Sequence, residues 1–107
     1  ARTVRRGDFV DPKHIDSEPV VVKNQPLTWP RSALRSGERG VIVVRVTVNA
    51  SGGVDEVEVL RTDHDGFGIP EAAAEAAAGC RFKPGFKDGV AVTTHAFITW
   101  RYDFSDR

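Results

Sequence analysis

The side chains in this chain that are best suited by type to bind a metal or to catalyse a reaction are its three histidines. His14, His64 and His95 stand far apart and show no spacing that is typical of a metal site. Only His64 has acidic residues on both sides, Asp63 and Asp65. A solvated, charged loop explains that triplet more simply than a metal centre does. The sequence therefore predicts no metal site.

Covalent catalysis would need a nucleophile next to a base. Serine, histidine and aspartate all occur, but no nucleophile motif places them together. The single cysteine, Cys80, follows an alanine-rich segment and precedes Phe82, which favours a buried thiol over a reactive one. The glycine pair at residues 66–68 is not directly preceded by a strand, as a phosphate-binding loop would be. We therefore expect neither an enzyme nor a cofactor.

The composition argues against a nucleic-acid partner. Lys plus Arg and Asp plus Glu each number 15 among 107 residues, so the formal net charge is zero, whereas proteins that bind polyanions carry clustered positive charge. The length fits one domain. No segment approaches the roughly 20 apolar residues of a membrane-spanning helix. Because the chain opens at Ala1 rather than Met, we expect a fragment of a longer protein with any membrane anchor upstream.

The first 23 residues differ in character from the rest. Charged residues of both signs alternate there with Pro12 and Pro19, which interrupt any periodicity. This pattern predicts a linker or loosely attached arm over residues 1–23, followed by one domain over residues 24–107. The valine run at residues 20–22 is compatible with a short edge strand or with a simple lead into the domain.

The domain is predicted to be α+β. A prolyl start and a glycine stop bound a short helix over residues 31–36. The β-branched run 41–48 and the returning segment 54–60 predict a hairpin, alanine-rich residues 71–78 predict a helix close to a sheet, and alternation over 90–104 predicts a long last strand. We expect a three-stranded antiparallel sheet in the order second, first, last strand, with two helices on one face.

In this arrangement the last strand is an exposed edge and the predicted binding site. Natural proteins usually protect such an edge with lysine or proline, but residues 90–102 contain neither. An extended peptide from another protein can add there as a further strand. Alternatively, the valine run of the arm or an identical chain covers the edge. Phe97 is expected on the solvent side beside Val41, Val43 and His95, as part of a partner or dimer patch.

Short motifs follow one another along the chain in a fixed order. They are Asn24-Gln25-Pro26, Trp29-Pro30, Gly40-Val41, Ser51-Gly52-Gly53-Val54, Ala72-Ala73 and Phe82-Lys83-Pro84-Gly85. Over roughly residues 24–104 this order resembles that of the C-terminal domains of TonB-family energy transducers, although Trp29 stands where tyrosine is usual.

The resemblance implies a non-catalytic periplasmic domain that belongs to a protein anchored in the inner membrane. Such a domain binds the TonB-box peptide of an outer-membrane transporter, or a similar envelope protein, and an upstream tether connects it to a proton-driven motor. Residue by residue, the resemblance implies that Gln25 and Pro26 lie next to the bound peptide. The segment implied to pair with it comprises Val90, Ala91, Val92, Thr93, Thr94, His95, Ala96, Phe97 and Ile98.

Two alternatives remain open at this point. The domain could serve another envelope-spanning machine as a coupling or assembly module, or it could pair with itself as a structural homodimer. If a peptide does add to the last strand, proline at Thr94 is expected to remove a main-chain donor and weaken that pairing.

Overall fold

A computed structural model describes residues 3–105. Its helices are α1 (Arg31–Leu34) and α2 (Ile69–Ala78), and a 3₁₀ turn spans Pro12–His14. Its strands are β1 (Val20–Lys23), β2 (Arg39–Val48), β3 (Val54–Thr62), β4 (Arg81–Lys83), β5 (Gly85–Lys87), β6 (Val90–Val92) and β7 (Thr94–Asp103). Neither helix has the length and hydropathy needed to cross a membrane.

The central sheet has the predicted order, β3-β2-β7, with both pairs antiparallel. In the middle strand every second side chain is buried, because successive side chains of a strand point to opposite faces. Ile42, Val44, Val46 and Val48 are fully inaccessible to solvent and form the centre of the core. The prediction of a three-stranded sheet with β7 at one edge is confirmed.

Helix α2 packs on β3 and β2 through small side chains. Gly68, at a φ of 73°, directs the chain into the helix, and Pro70 follows in the first turn, where a missing N–H is tolerated. Ala73 and Ala77 are fully buried, so the helix backbone lies close to the sheet, as alanine on the inner face predicts. Cys80 lies two residues after the end of the helix and is 4% exposed, which confirms the expected buried thiol.

The predicted continuous strand over residues 90–104 is wrong. The strand is interrupted at Thr93, between β6 and β7. Strand β6 pairs with β5 in a separate hairpin, with Phe86 opposite Ala91. The two-residue loop of that hairpin is Asp88-Gly89, and both residues have positive φ, 53° and 79°. Asp-Gly favours this kind of tight turn because both positions require left-handed backbone. The hairpin therefore has a local sequence signal that the alternation of residues 90–104 obscured.

The N-terminal arm is hydrogen-bonded to this second hairpin. Gly7 N–H donates to Ala91 O over 3.0 Å, and Phe86 N–H donates to Ser17 O, also over 3.0 Å. Strand β1 pairs antiparallel with β4, with Val21 opposite Phe82. Of the two readings of the valine run, the structure shows the short strand, but on β4 rather than on the edge of β7. The domain boundary near residue 24 stays a prediction.

Candidate functional site

The outer edge of β7 is the feature of the fold best suited to receive another chain. The direction of its main-chain groups follows from its two ends. Thr93 N–H donates outward to Asp8 O over 2.9 Å, whereas Phe104 N–H donates inward to Glu38 O over 2.8 Å. Because main-chain groups alternate along a strand, odd-numbered residues of β7 present N–H and C=O to the open edge and even-numbered residues bond to β2.

Within residues 3–105, β7 pairs with β2 alone, so its outer main-chain groups have no strand partner. The residues that present them are His95, Phe97, Thr99 and Arg101. Arg101 is the only one with a permanent charge, and the strand contains neither lysine nor proline. Phe97 is 57% exposed. The edge therefore lacks most of the devices by which proteins block strand addition.

At the start of β7 the edge is already occupied by the arm. Thr93 both donates to Asp8 and accepts from Val10 N–H, at 2.9 Å each. The hydroxyl of Thr94 donates to Val10 O over 2.6 Å, and the rings of Phe9 and His95 meet edge to face with centroids 4.9 Å apart. The free edge begins only at His95.

The residues predicted to pair with a peptide do not all lie on the open edge. Residues 90–92 belong to the second hairpin, and residues 91 and 93 bond to the arm. Thr94, opposite Val48 in the register, directs its N–H towards β2 by the alternation. The expectation that proline at Thr94 would selectively weaken a bound peptide is therefore wrong, because that N–H belongs to the sheet itself. His95–Ile98 do lie along the open part of the strand.

A cleft opens beside the free start of this edge. One wall is formed by residues 95–97, and the opposite wall consists of Phe82 and of the arm as it passes from the 3₁₀ turn into β1. We call this space, of about 250 Å³, the edge cleft. Its lining residues are Pro12, Ile15, Glu18, Pro19, Val21, Phe82, His95, Ala96 and Phe97.

Gln25 and Pro26 lie in a different place. The side chain of Gln25 packs against Gly79, so closely that a methyl group on that glycine would lie 2.8 Å from it. Both residues line a second cleft next to α2, together with Glu71 and Glu75 among others. The structure does not bring Gln25 and Pro26 into the edge cleft, and their role next to a peptide stays a prediction.

The surroundings of Phe97 differ from the expectation. Directly opposite it in β2 stands Arg45, whereas Val43 stands opposite Thr99. The direct cross-strand neighbour of the exposed ring is therefore a charged side chain. Val43 and His95 lie one pair away from Phe97 on the same face, and Val41 lies two pairs away. On the other side of Arg45, an ion pair joins that residue to Glu58.

His64 lies in the loop after β3, but its side chain is only 25% exposed, less than its acidic neighbours suggested. Its Nδ1 lies 2.8 Å from the hydroxyl of Tyr102, and its Nε2 lies 2.5 Å from a carboxylate oxygen of Glu38. Burial, followed by the nearby carboxylates of Asp63 and Glu38, raises the pKa of Tyr102. No group of residues within 3–105 is arranged to hold a metal ion. These contacts attach the loop after β3 to the far end of β7.

Asp63 fixes the same loop to the start of β2. Its carboxylate accepts a hydrogen bond from Val41 N–H over 2.9 Å. This bond, and secondarily the Arg61 guanidinium, lowers the pKa of Asp63 below its ordinary value. The far end of the edge strand is thus positioned by polar contacts, while its near end is positioned by the arm.

Comparison with known proteins agrees with this architecture. The family model described as Gram-negative bacterial TonB protein C-terminal matches residues 25–104. Among solved structures, the solution NMR structure of the Pseudomonas aeruginosa TonB C-terminal domain matches with a TM-score of 0.65 and 23% identity, over 92% of this chain and 96% of that chain. The search of curated proteins finds no match. Since the family match extends over most of the chain, we conclude that the chain belongs to the TonB C-terminal domain family, whose members are periplasmic protein-interaction domains of energy transduction and transport.

Proposed function

We propose that this domain binds an extended segment of an outer-membrane receptor by strand addition to β7 and transmits force to it. The force would come from a proton-driven motor of the inner membrane through an upstream tether. Two findings support the proposal: membership of the TonB C-terminal family, and a long edge strand without a partner among the described residues. On this account the domain performs no catalysis.

The observation that carries the proposal is the row of outward main-chain groups from His95 to Arg101. An added strand would complete the hydrogen bonding of these groups, as extended peptides do on the exposed edges of other sheets. Most of the affinity would come from main-chain bonds, which do not depend on side-chain identity. One domain could therefore serve several receptors whose segments share little beyond an extended conformation.

The arm offers a route for the load. Residues 7–10 bond to Ala91 and Thr93 immediately before the free edge begins. A pull on the N-terminal side of the chain would reach β7 through these main-chain bonds and through the β1–β4 pair. A peptide next to β7 would be loaded along the strand direction, so that its hydrogen bonds would have to shear together.

The test is a titration of the isotope-labelled chain with N-terminal peptides of outer-membrane transporters from the same cell, followed by backbone amide shifts. The proposal expects the largest shifts at residues 95–101 and small shifts in α2. A matched control peptide carries proline at alternate positions, which removes the donors that a strand needs, and should give no shifts. If every transporter peptide leaves residues 95–101 unchanged in the folded chain, the proposal fails.

A second candidate function is self-pairing through the same edge. The exposure of Phe97, 57%, favours it, because two copies of β7 can pair antiparallel about a two-fold axis and cover that ring. Sedimentation velocity over a range of chain concentrations distinguishes the two candidates. Dimerisation without peptide binding would favour the structural homodimer. A monomer that binds no transporter peptide would favour a coupling role in another envelope-spanning machine.

A further inference from the structure

We propose that the edge cleft is an anchor pocket for one large apolar side chain of the peptide added to β7, and that this pocket sets the register of the peptide. The inference rests on the proposed function and names the feature of the partner that this chain selects. It concerns the space between the arm and β7, where residues 12–21 form one wall and residues 95–97 form the other.

The position of the edge cleft ties it to strand addition. Its strand wall includes His95 and Phe97, the first two residues whose main-chain groups point to the open edge. A strand that bonds to these two residues passes along the cleft and must direct some of its side chains into it. The volume of about 250 Å³ is many times the ~10–15 Å³ that one water molecule needs in the same measure, so the cleft has room for a side chain.

The lining determines the kind of side chain. Most of the lining is apolar, with Ile15 and Val21 from the arm and Phe82 from β4. Val21 is 38% exposed and Phe97 57% exposed, so an apolar side chain placed between them would remove apolar surface from water on both partners. Glu18 is the only acidic side chain in the lining, and it disfavours a negatively charged occupant.

His95 does not make the cleft strongly polar. Its Nδ1 lies 3.3 Å from the hydroxyl oxygen of Thr47 on the solvent face of the sheet, and its ring contacts Phe9 of the arm. One ring nitrogen therefore already has a polar neighbour in the folded chain.

The arm makes the register definite. Val10 accepts from the hydroxyl of Thr94, and the arm then leaves the edge through the 3₁₀ turn that begins at Pro12. A peptide cannot extend past His95 towards Thr93 without displacing these bonds. One end of the peptide is thus blocked by the arm, and the adjacent cleft accepts the side chain that is nearest to that end. A one-residue slip would direct that side chain to the opposite face.

The test uses host peptides with the variable residue at the blocked end of the strand. They are acetyl-Xaa-Thr-Ser-Thr-Ser-Thr-amide for one strand direction and acetyl-Thr-Ser-Thr-Ser-Thr-Xaa-amide for the other, each with leucine, alanine or aspartate at Xaa. Dissociation constants come from backbone amide shifts of the isotope-labelled chain. We expect the leucine peptide to bind about tenfold more tightly than the alanine peptide and the aspartate peptide to bind most weakly. The leucine peptide should shift His95 and Phe97 most.

Chain variants separate the cleft from general hydrophobicity. Ile15→Ser should reduce the preference for leucine over alanine to about twofold or less, since part of the apolar wall is lost. The matched control is Leu60→Ser, because Leu60 is 46% exposed but lies on β3, at the opposite edge of the sheet. It should keep the full preference. If Ile15→Ser disturbs the fold, Val21→Ser provides the same comparison.

The outcomes distinguish this inference from the proposed function. Binding at residues 95–101 with equal affinity for leucine and alanine peptides, or a preference that survives in both Ile15→Ser and Val21→Ser, would overturn the anchor pocket but keep the edge as a binding site. No binding of any peptide would overturn both. Shifts of cleft residues that depend on chain concentration without peptide would show that a second copy occupies the cleft, which also overturns the inference.

Discussion

Proline substitutions in β7 test the assigned direction of its main-chain groups. Ala96 stands opposite Val46 and directs its N–H to β2, whereas the N–H of Thr99 points to the open edge. Proline at residue 96 removes a ladder hydrogen bond, a net loss of about 1 kcal/mol, and leaves a carbonyl of β2 without its donor, which costs roughly 1–3 kcal/mol more. We therefore expect Ala96→Pro to reduce the free energy of unfolding by about 2–4 kcal/mol.

Thr99→Pro should be much less harmful. It removes an N–H that has no strand partner within the described residues, and proline is tolerated on edge strands whose N–H faces solvent. We expect a loss below about 1 kcal/mol. The same variant should weaken binding of a peptide to the edge, because one intermolecular donor is gone. Ala96→Pro should thus mainly lower the free energy of unfolding, whereas Thr99→Pro should mainly lower the affinity for the peptide.

Urea unfolding followed by far-UV circular dichroism measures both stability changes. With a urea dependence of about 1–3 kcal/mol per molar for small proteins, Ala96→Pro should lower the midpoint by roughly 1–4 M. Ala96→Gly and Thr99→Ala serve as side-chain controls. Equal destabilisation by Ala96→Pro and Thr99→Pro, beyond these controls, would refute the alternation on which the binding site depends.

Three further predictions concern the parts that position the edge. Gly52→Ala should cost about 1–3 kcal/mol more than Gly37→Ala in urea unfolding, because both glycines have positive φ but only at Gly52 would the new Cβ collide with a main-chain carbonyl of β4. The pKa of Asp63 is lower in the folded chain than its ordinary value of 3.8, so ionised Asp63 stabilises the fold above pH 3.8. This contribution to the free energy of unfolding is lost as the pH falls through the lower folded pKa. Asp63→Asn should therefore make the fall of stability below about pH 5 less steep than in the unmodified chain. Phe9→Ala removes a ring contact with the start of β7 and should speed hydrogen exchange of the Thr93 amide about two- to tenfold, with no change in β2.

Much of the fold is encoded locally and could be predicted. The β-branched run of β2 has one fully buried face, which fixes its register and its central place in the sheet. The alanine-rich inner face of α2 predicts close approach to the sheet. Both signals are side-chain periodicities that extend over many residues of one element, so they can be recognised without knowledge of the turns and loops around it.

The role of the arm was harder to predict. Its contacts with residues 91 and 93 are main-chain hydrogen bonds, and such bonds leave no periodic pattern in the side chains. The two prolines and mixed charges of residues 1–23 suggest a linker for the same reason. Only the valine run gave a local signal, and its partner, β4, could not be identified from the sequence because that pairing spans about 60 residues.

The sequence predicted which strand carries the candidate site, but it predicted neither the direction of the main-chain groups of that strand nor the cleft beside it. Alternation identified β7, yet the direction of each N–H depends on which neighbour the strand joins, and this is known only after β2 and the arm are placed. The edge cleft combines residues 12–21 with residues 95–97, which are remote in sequence. His64 likewise contacts Glu38 and Tyr102 only because the fold brings these remote residues together.

The most direct test of the account is residue-resolved amide hydrogen exchange of the labelled chain with and without a transporter peptide that binds it. Strand addition predicts new protection at alternate residues, His95, Phe97, Thr99 and Arg101. The intervening amides of β7 should already exchange slowly in the free chain because they bond to β2. Protection that appears instead next to Gln25 and Pro26, with the outward amides of β7 still exchanging freely, would contradict strand addition at this edge.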